Sequence, residues 1–382
     1  MKEFKLGGGN ANPETFPYEE IARVAAEAIR EVGGDFASYP GELGHEGLRR
    51  LMAQRESTRE GIEVSPDQIV LTNGSMQAVT LMAEALMEKP GDIILLDELC
   101  YMGTIDMYKK VGAKLVGIPV DEDGMRVDLL EEKLEALHQR GTPPSFIYTI
   151  TTYQNPTGAV MSLPRRHQLI DVARRYNCIV VEDNCYGDVH FEGEKQPALY
   201  ALDNSPNHIY LGSLSKILGP GLRLGYFFAR PPMLQRLLGR RGDGGNSLLA
   251  ASIVAAYFKD EMWNHIERAN RALKEKRDAL LASLQEHLGD ICSWSHPVGG
   301  LFLWVNLPHD IDMTRLAELA NAAGVRYVPG CEFHVDGTEI PNLRLAFGHP
   351  PIADIREAIP LLAGCIRAAS AHSTAATSEA AG

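Results

Sequence analysis

The sequence predicts an α/β protein: a mostly parallel seven-stranded sheet sandwiched by helices, followed by a smaller α+β unit. Three observations carry that prediction. Short apolar runs, most of them uninterrupted, alternate with longer helix-patterned stretches between residues 65 and 230, as strands covered by helices on both faces do. A charge-laced stretch at 256–288 contains neither glycine nor proline, and a shorter mixed pattern begins after it. The chain is also long enough, at 382 residues, for two domains of about 150 residues or more.

The runs at 68–72, 93–97, 114–119, 145–150, 178–182, 208–211 and 223–229 supply the seven strands. Between the first two, Met76, Val79, Met82, Ala83 and Leu86 recur at helical spacing within 75–88, which predicts a helix with one apolar face. The stretch 256–288 is expected to be a helix connecting the two domains. Beyond it, runs at 301–306 and 325–328 bracket a helix pattern at 314–323, and a run at 342–347 precedes a helix from about 351. The last residues, 371–382, are rich in Ala, Ser and Thr without a large apolar side chain, a composition that predicts a disordered tail.

Composition narrows the function classes. Hydrophobic residues make up 45% and charged residues 23%, as in a globular protein. The balance of 37 Lys+Arg against 50 Asp+Glu gives −13 and argues against nucleic acid as a partner. No apolar run approaches the roughly 18 residues of a membrane span, and the opening residues lack a signal-peptide core. Six cysteines are scattered with no Cys-x-x-Cys pair, which reads as reduced thiols in a cytoplasmic protein. Cys178 and Cys185 read as small buried residues rather than metal ligands, since no His/Cys quartet accompanies them; no metal is expected.

The chemistry-bearing residues fall just after strands. Lys216 follows the run at 208–211, flanked by Ser213 and Ser215, with Arg223 seven positions on. Ligands of open α/β sheets bind at that carboxyl edge. A lysine there can form a Schiff base with an aldehyde, while hydroxyls and a guanidinium hold a phosphate; a solvated surface loop would read the same way. After the first strand, Asn73-Gly74-Ser75-Met76-Gln77 opens a helix whose free N–H groups suit an anion, or Ser75 simply caps it. After the strand at 178–182 come Asp183 and Tyr186, and Asn155-Pro156 marks a turn after the strand at 145–150. Singly each signal is weak; four at the carboxyl edge of one sheet are strong.

Asn155-Pro-Thr-Gly, Asp183-x-x-Tyr186, Ser213-x-Ser-Lys216, Pro220-Gly-x-Arg223-x-Gly and Asn342-x-Arg344-Leu together resemble the fold-type-I pyridoxal-phosphate aminotransferases of class I/II, in order and spacing, from about residue 16 to 362. Within that family the chain is most similar to the 2-aminoadipate/kynurenine aminotransferase branch, whose domain also appears fused to transcription regulators; a stand-alone enzyme is expected here. The resemblance implies pyridoxal 5′-phosphate as cofactor, with Lys216 carrying it and shuttling the proton, and Asp183 pairing with the ring nitrogen. Tyr186 and Asn155 would contact the ring hydroxyl and Tyr101 would stack on the ring. Gly74, Ser75, Met76, Gln77, Ser213, Ser215 and Arg223 would form the phosphate cup. Arg344 would bind the substrate α-carboxylate beside Asn155 and Gly9. Tyr39 would reach the phosphate of a partner subunit, which makes a homodimer with shared sites.

The expected layout is an N-terminal arm, 1–35, belonging to the small domain; a large cofactor domain, 36–270; the small domain, 271–370; and the tail, 371–382. His45 stands where the family usually has another residue, and reads as a solvated loop histidine. Arg23, Arg240 and Arg241 are the candidates for holding a distal carboxylate. The expected activity moves an amino group between an L-amino acid and a 2-oxo acid. A β/γ-elimination lyase, decarboxylase or cyclase would use the same apparatus, and a non-catalytic pyridoxal-phosphate sensor would keep the pocket alone. A dinucleotide-dependent dehydrogenase is excluded, because no Gly-x-Gly-x-x-Gly follows a strand.

Overall fold

The computed structural model describes residues 2–379, with side chains described for residues 2–370. All seven expected strands form one sheet. Its order is Ile69–Thr72, Gly225–Ala229, His208–Ser213, Val180–Asp183, Phe146–Thr149, Ile93–Asp97 and Lys114–Ile118. The last five run parallel to one another. Gly225–Ala229 is antiparallel to both its neighbours, so the sheet is mixed, though mostly parallel.

Burial explains why the runs read as continuous apolar stretches. Strand side chains alternate between faces, and neighbours in one strand enter different cores. Leu96, Tyr148 and Val181 join the core on one face; Leu95, Ile147 and Val180 join that on the other. Helix Ser75–Leu86 buries Ala78, Val79, Met82 and Leu86, and Leu163–Arg175 buries Leu169, Ile170, Val172 and Ala173. The edge strand Lys114–Ile118 is the exception, with only Ile118 buried.

The expected connecting helix starts earlier, at Leu248, and runs to Leu288. Ser247 explains the start: its hydroxyl accepts from the Ala250 N–H at 3.3 Å, an N-cap that the apolar pattern does not reveal. Its first half lends Tyr257, Phe258, Met262 and Ile266 to the large core, and its end lends Leu280, Leu284 and Leu288 to a second core. That second core lies on a four-stranded sheet ordered Ser293–Trp294, Phe302–Asn306, Asn342–Ala346 and Val328–Pro329. The single strand expected at 325–328 is in fact two pieces, Val325–Arg326 and Val328–Pro329, in different sheets. Val325–Arg326 pairs in parallel with Phe4–Lys5 at the start of the chain. The final helix, Ile352–Glu379, extends into the segment expected to be disordered; residues 380–382 of that expectation lie outside the described residues. Among the described residues no helix is long and apolar enough to cross a membrane.

Candidate active site

Five strands end where the chemistry-bearing residues begin. Thr72 leads to Gly74–Gln77, Asp97 to Tyr101, Thr149 to Asn155, Asp183 to Tyr186, and Ser213 to Lys216. A cavity of about 230 Å³ opens at this edge and is lined by Gly9, Ser75, Met76, Tyr101, Asn155, Asp183, Tyr186, Ser215, Lys216, Arg223 and Arg344. Eleven expected site residues therefore share one wall or another of a single cavity.

Lys216 donates from Nζ to the Gly9 carbonyl at 2.8 Å and sits 5.7 Å from the Tyr186 ring centre. Burial holds its amine below the ordinary lysine value, although Cys185 and Asp183 pull the other way. An amine so placed loses its proton more readily than a surface lysine, which favours attack on a carbonyl. Asp183 is 5% exposed. Its Oδ2 accepts from the Tyr148 hydroxyl at 2.6 Å and its Oδ1 from the Cys185 N–H at 3.1 Å. Burial still raises its pKa above the usual carboxylate range, so a cationic partner in the cavity would relieve a real cost.

Asn155 links two of the other expected residues. Its Nδ2 donates to the Tyr186 hydroxyl at 3.2 Å, and its Oδ1 accepts from Arg344 Nη1 at 2.7 Å. The loop carrying it is pinned by buried groups that the sequence did not single out. Asp97 Oδ2 accepts from the Ile150 N–H at 3.2 Å, and Arg166 Nη2 donates to the Thr151 carbonyl at 2.8 Å. Arg344 also donates from Nη2 to the Gly7 carbonyl at 2.7 Å, and its guanidinium lies 4.0 Å from the Phe302 ring centre and 4.5 Å from that of Phe333. Burial lowers it to about 10, and its Nε is buried without a partner.

The anion end is built by three elements meeting at Gly225, which pairs with Thr72 on one side and Ser213 on the other. A Cβ at Gly225 would lie 2.6 Å from the Ser75 backbone nitrogen, so only glycine lets the helix Ser75–Leu86 start so close to the sheet. That helix has Gly74 as its N-cap, with φ at 81° and no side-chain cap. Ser75 is thus the first helical residue rather than the cap, and the N–H groups of the first turn stay available to an anion. Arg223 stands beside them, its Nη2 donating to the Asn73 carbonyl at 3.0 Å. Ser213 Oγ accepts from the Ser215 N–H at 3.2 Å.

Gly74 and Ser213 sit just behind the cavity lining, next to Ser75 and Ser215, and Gln77 and Tyr39 do not line the cavity either. Gln77 closes its own turn, accepting from the Asn73 N–H at 2.7 Å and donating to Asp243. Tyr39 is 87% exposed. His45 lines a different cavity and is not an idle loop residue. It is the N-cap of helix Glu46–Glu60, its Nδ1 accepting from the Leu48 N–H at 3.1 Å. Of the candidates for a distal carboxylate, Arg241 is spent on the Asp243 carboxylate and the Leu71 carbonyl at 2.7 and 2.8 Å, while Arg23 and Arg240 are exposed and outside the cavity. Asn10, Ile150, Cys185, Pro220 and Phe302 line it unforeseen; as apolar or small residues within strands and turns, most of them carry no signal apart from packing.

A buried lysine and aspartate facing a helix N-terminus and an arginine fit an aldehyde-bearing, phosphorylated pyridine. They define a pyridoxal-phosphate enzyme of fold type I. The chain matches the family described as aminotransferase class I and II over residues 5–360, and it belongs to that family. It is 36% identical over 368 residues, 95% of this chain and 87% of the relative, to aromatic-amino-acid aminotransferase 1 of Thermococcus litoralis. A solved α-aminoadipate aminotransferase of Thermus thermophilus, complexed with N-(5′-phosphopyridoxyl)-L-leucine, superposes with a TM-score of 0.89 at 32% identity, covering 97% of this chain and 93% of that one. A Pyrococcus horikoshii kynurenine aminotransferase superposes with a TM-score of 0.89 at 34% identity, covering 96% and 91%. The protein is accordingly a pyridoxal-phosphate-dependent aminotransferase acting on amino acids and 2-oxo acids.

Proposed function

We propose that the cavity residues divide the transamination as follows, with the convergence of Lys216, Asp183 and Arg344 on one cavity as the observation that carries the assignment. Pyridoxal phosphate, when bound, supplies a carbonyl carbon that exchanges amino groups and a ring that takes up the electrons left when the substrate α-proton departs. Lys216 holds the cofactor between turnovers and, once released, moves that proton at Nζ. Asp183 keeps a proton on the ring nitrogen. Tyr186 and Asn155 hold the ring hydroxyl, and Tyr101 covers the ring. Gly74, Ser75, Met76, Ser213, Ser215 and Arg223 receive the phosphate.

Arg344 binds the substrate carboxylate with its planar fork, and Gly9 forms the lid beside it. Because Gly7 and Asn155 already occupy its Nη atoms, substrate must displace or share those contacts. Borohydride reduction followed by peptide mapping tests the centre of this reading: the cofactor should be found on Lys216, and attachment to any other lysine overturns it. A panel of amino acids, read by the visible absorbance of the cofactor, identifies the donor.

A homodimer with shared sites is the second part of the proposal. Tyr18, Ile29, Phe36 and Tyr39, all within residues 18–39, are large apolar residues at 65, 45, 40 and 87% exposure, an apolar exposure that a covering partner would relieve. Mixing Tyr39→Phe subunits with Lys216→Ala subunits should restore one intact site per hybrid if Tyr39 acts across the interface; no gain despite proven subunit exchange overturns it. The division into arm 1–35, large domain 36–270 and small domain 271–370 is supported by the second core, which joins Phe4 and Leu6 to residues 280–369, while Val24 of the arm packs in the large core. Six free cysteines support a reducing, cytoplasmic setting.

A further inference from the structure

Asp183 stands at the end of its strand with one carboxylate oxygen committed to backbone, the Cys185 N–H at 3.1 Å. The other is committed to a side chain outside every expected site position: the Tyr148 hydroxyl, at 2.6 Å. Tyr148 lies in the strand next to Val180–Asp183, paired with Val181, and is wholly buried. Its ring is held edge-on by Tyr108, with centroids 5.7 Å apart at 84°. Its oxygen lies 3.4 Å from Thr104 Oγ1, and Thr104 belongs to the helix Met102–Lys110 whose first turn follows Tyr101. The Thr104 N–H donates to the Tyr101 carbonyl at 2.9 Å.

From this geometry we infer that Tyr148 is a positioning residue: a fixed hydrogen-bond donor that sets the charge and the orientation of Asp183 and ties it to the turn presenting Tyr101. The inference rests on the proposed role of Asp183. A phenol can donate or accept, but an ionised carboxylate only accepts, so the proton of this bond points at Asp183. Burial, with Asp183 alongside, keeps the phenol well above its ordinary pKa, so the donor is present at every working pH. The other titratable groups facing Asp183 are Cys100, Tyr108, Cys185, Tyr186 and Lys216. Of these only Lys216 carries a positive charge, and it is the group that reacts. Tyr148 is therefore the neutral counterweight that lets a buried carboxylate stay ionised while leaving its remaining lone pairs for a ring nitrogen.

Tyr148→Phe tests this, since it keeps the ring packed on Tyr108 and removes only the donor. In the cofactor-free protein, the carboxyl carbon of isotopically labelled Asp183 should titrate about one unit higher, the size of one lost hydrogen bond to a charged group. In the holoenzyme, the unshared carboxylate charge favours the protonated form of the lysine–cofactor linkage. The pH midpoint of the visible absorbance change should therefore rise, also by about one unit. Asp183→Asn should move the same midpoint, and adding Tyr148→Phe to it should change nothing more. If Asp183→Asn moves the midpoint and Tyr148→Phe moves neither readout, Tyr148 only packs, and the inference falls while the role of Asp183 stands. If neither variant moves the midpoint, both fall.

Discussion

The two walls of the cavity are held in different ways. One wall is the carboxyl edge of a single sheet, where strand register sets Asp183 and Lys216 beside each other: Asp183 pairs with Leu211, two residues before Ser213. The other wall joins parts far apart in the chain. Arg344 of the small sheet donates to Gly7, 337 residues away, and Gly9 receives Lys216, 207 residues away. The sheet wall is tied down by main-chain ladders that run up to Asp183 and Ser213, where the loops carrying Tyr186 and Lys216 begin. The arm wall is joined by the short pairing of Phe4–Lys5 with Val325–Arg326 and by the carbonyl contacts of Gly7 and Gly9, so it is the less extensively tied of the two.

The largest effect should come from the sheet wall. Lys216→Ala removes the only amine in the cavity and should lower turnover by about four orders of magnitude or more, while the apoprotein still takes up cofactor phosphate; single-turnover kinetics and cofactor titration measure both. Turnover within tenfold of the parent would show that the proton is moved elsewhere.

A test of the sheet wall's stability lies at the opposite end of the same strand. Burial lowers His208 from its ordinary value to about 4. A histidine kept neutral in the fold stabilises it fully above about pH 6.5, where the unfolded chain is neutral too. That contribution is lost as pH falls through 6.5 towards 4, because only the unfolded state gains the proton. The loss should be on the order of 2–3 kcal/mol, read as denaturant midpoints between pH 7.5 and 4, and His208→Asn should flatten that part of the curve.

The arm wall should respond in substrate handling instead. Arg344→Lys keeps the charge but not the fork, and should lower kcat/KM for amino acids by about thirtyfold, roughly 2 kcal/mol. It should leave cofactor absorbance unchanged. Smallest of all is Gly9→Ala. A Cβ there would meet Phe302 Cζ at 2.9 Å, the far end of a side chain, so the arm should shift slightly. We expect KM to rise about two- to fivefold with kcat near the parent value. A large fall in kcat would mean that the arm is as rigid as the sheet.

The sheet wall was also the legible one. Seven β-rich runs gave all seven strands, because a strand buried on both faces needs apolar residues at every position. Motif spacing then placed Asp183 and Ser213 at the ends of strands and Gly74, Asn155 and Lys216 after them. What escaped was whatever acts through contact across the chain. Tyr148 lies inside an apolar run and reads as core, and Phe302 does the same in the small sheet. The two-residue strands Phe4–Lys5 and Ser293–Trp294 are too short for any periodicity. His45 reads as a solvated loop histidine and Gln77 as part of the phosphate cup, whereas in the fold the first caps a helix and the second closes a turn. Nothing in residues 7–9 announces that their carbonyls meet Arg344 and Lys216.

The single reversed strand, Gly225–Ala229, has a mechanical consequence. In an all-parallel sheet the segment entering a strand lies at the amino edge, and reaching it from Ser213 would take a crossover of about a dozen residues or more, usually through a helix. Reversal brings the entry of Gly225–Ala229 back to the carboxyl edge, so residues 214–224 alone join the two strands. Lys216 and Arg223 thus ride on one short bridge clamped at both ends by the sheet. On the proposed roles, the lysine that would tether the cofactor and the arginine that would anchor its phosphate therefore belong to one short segment held by the sheet at both ends.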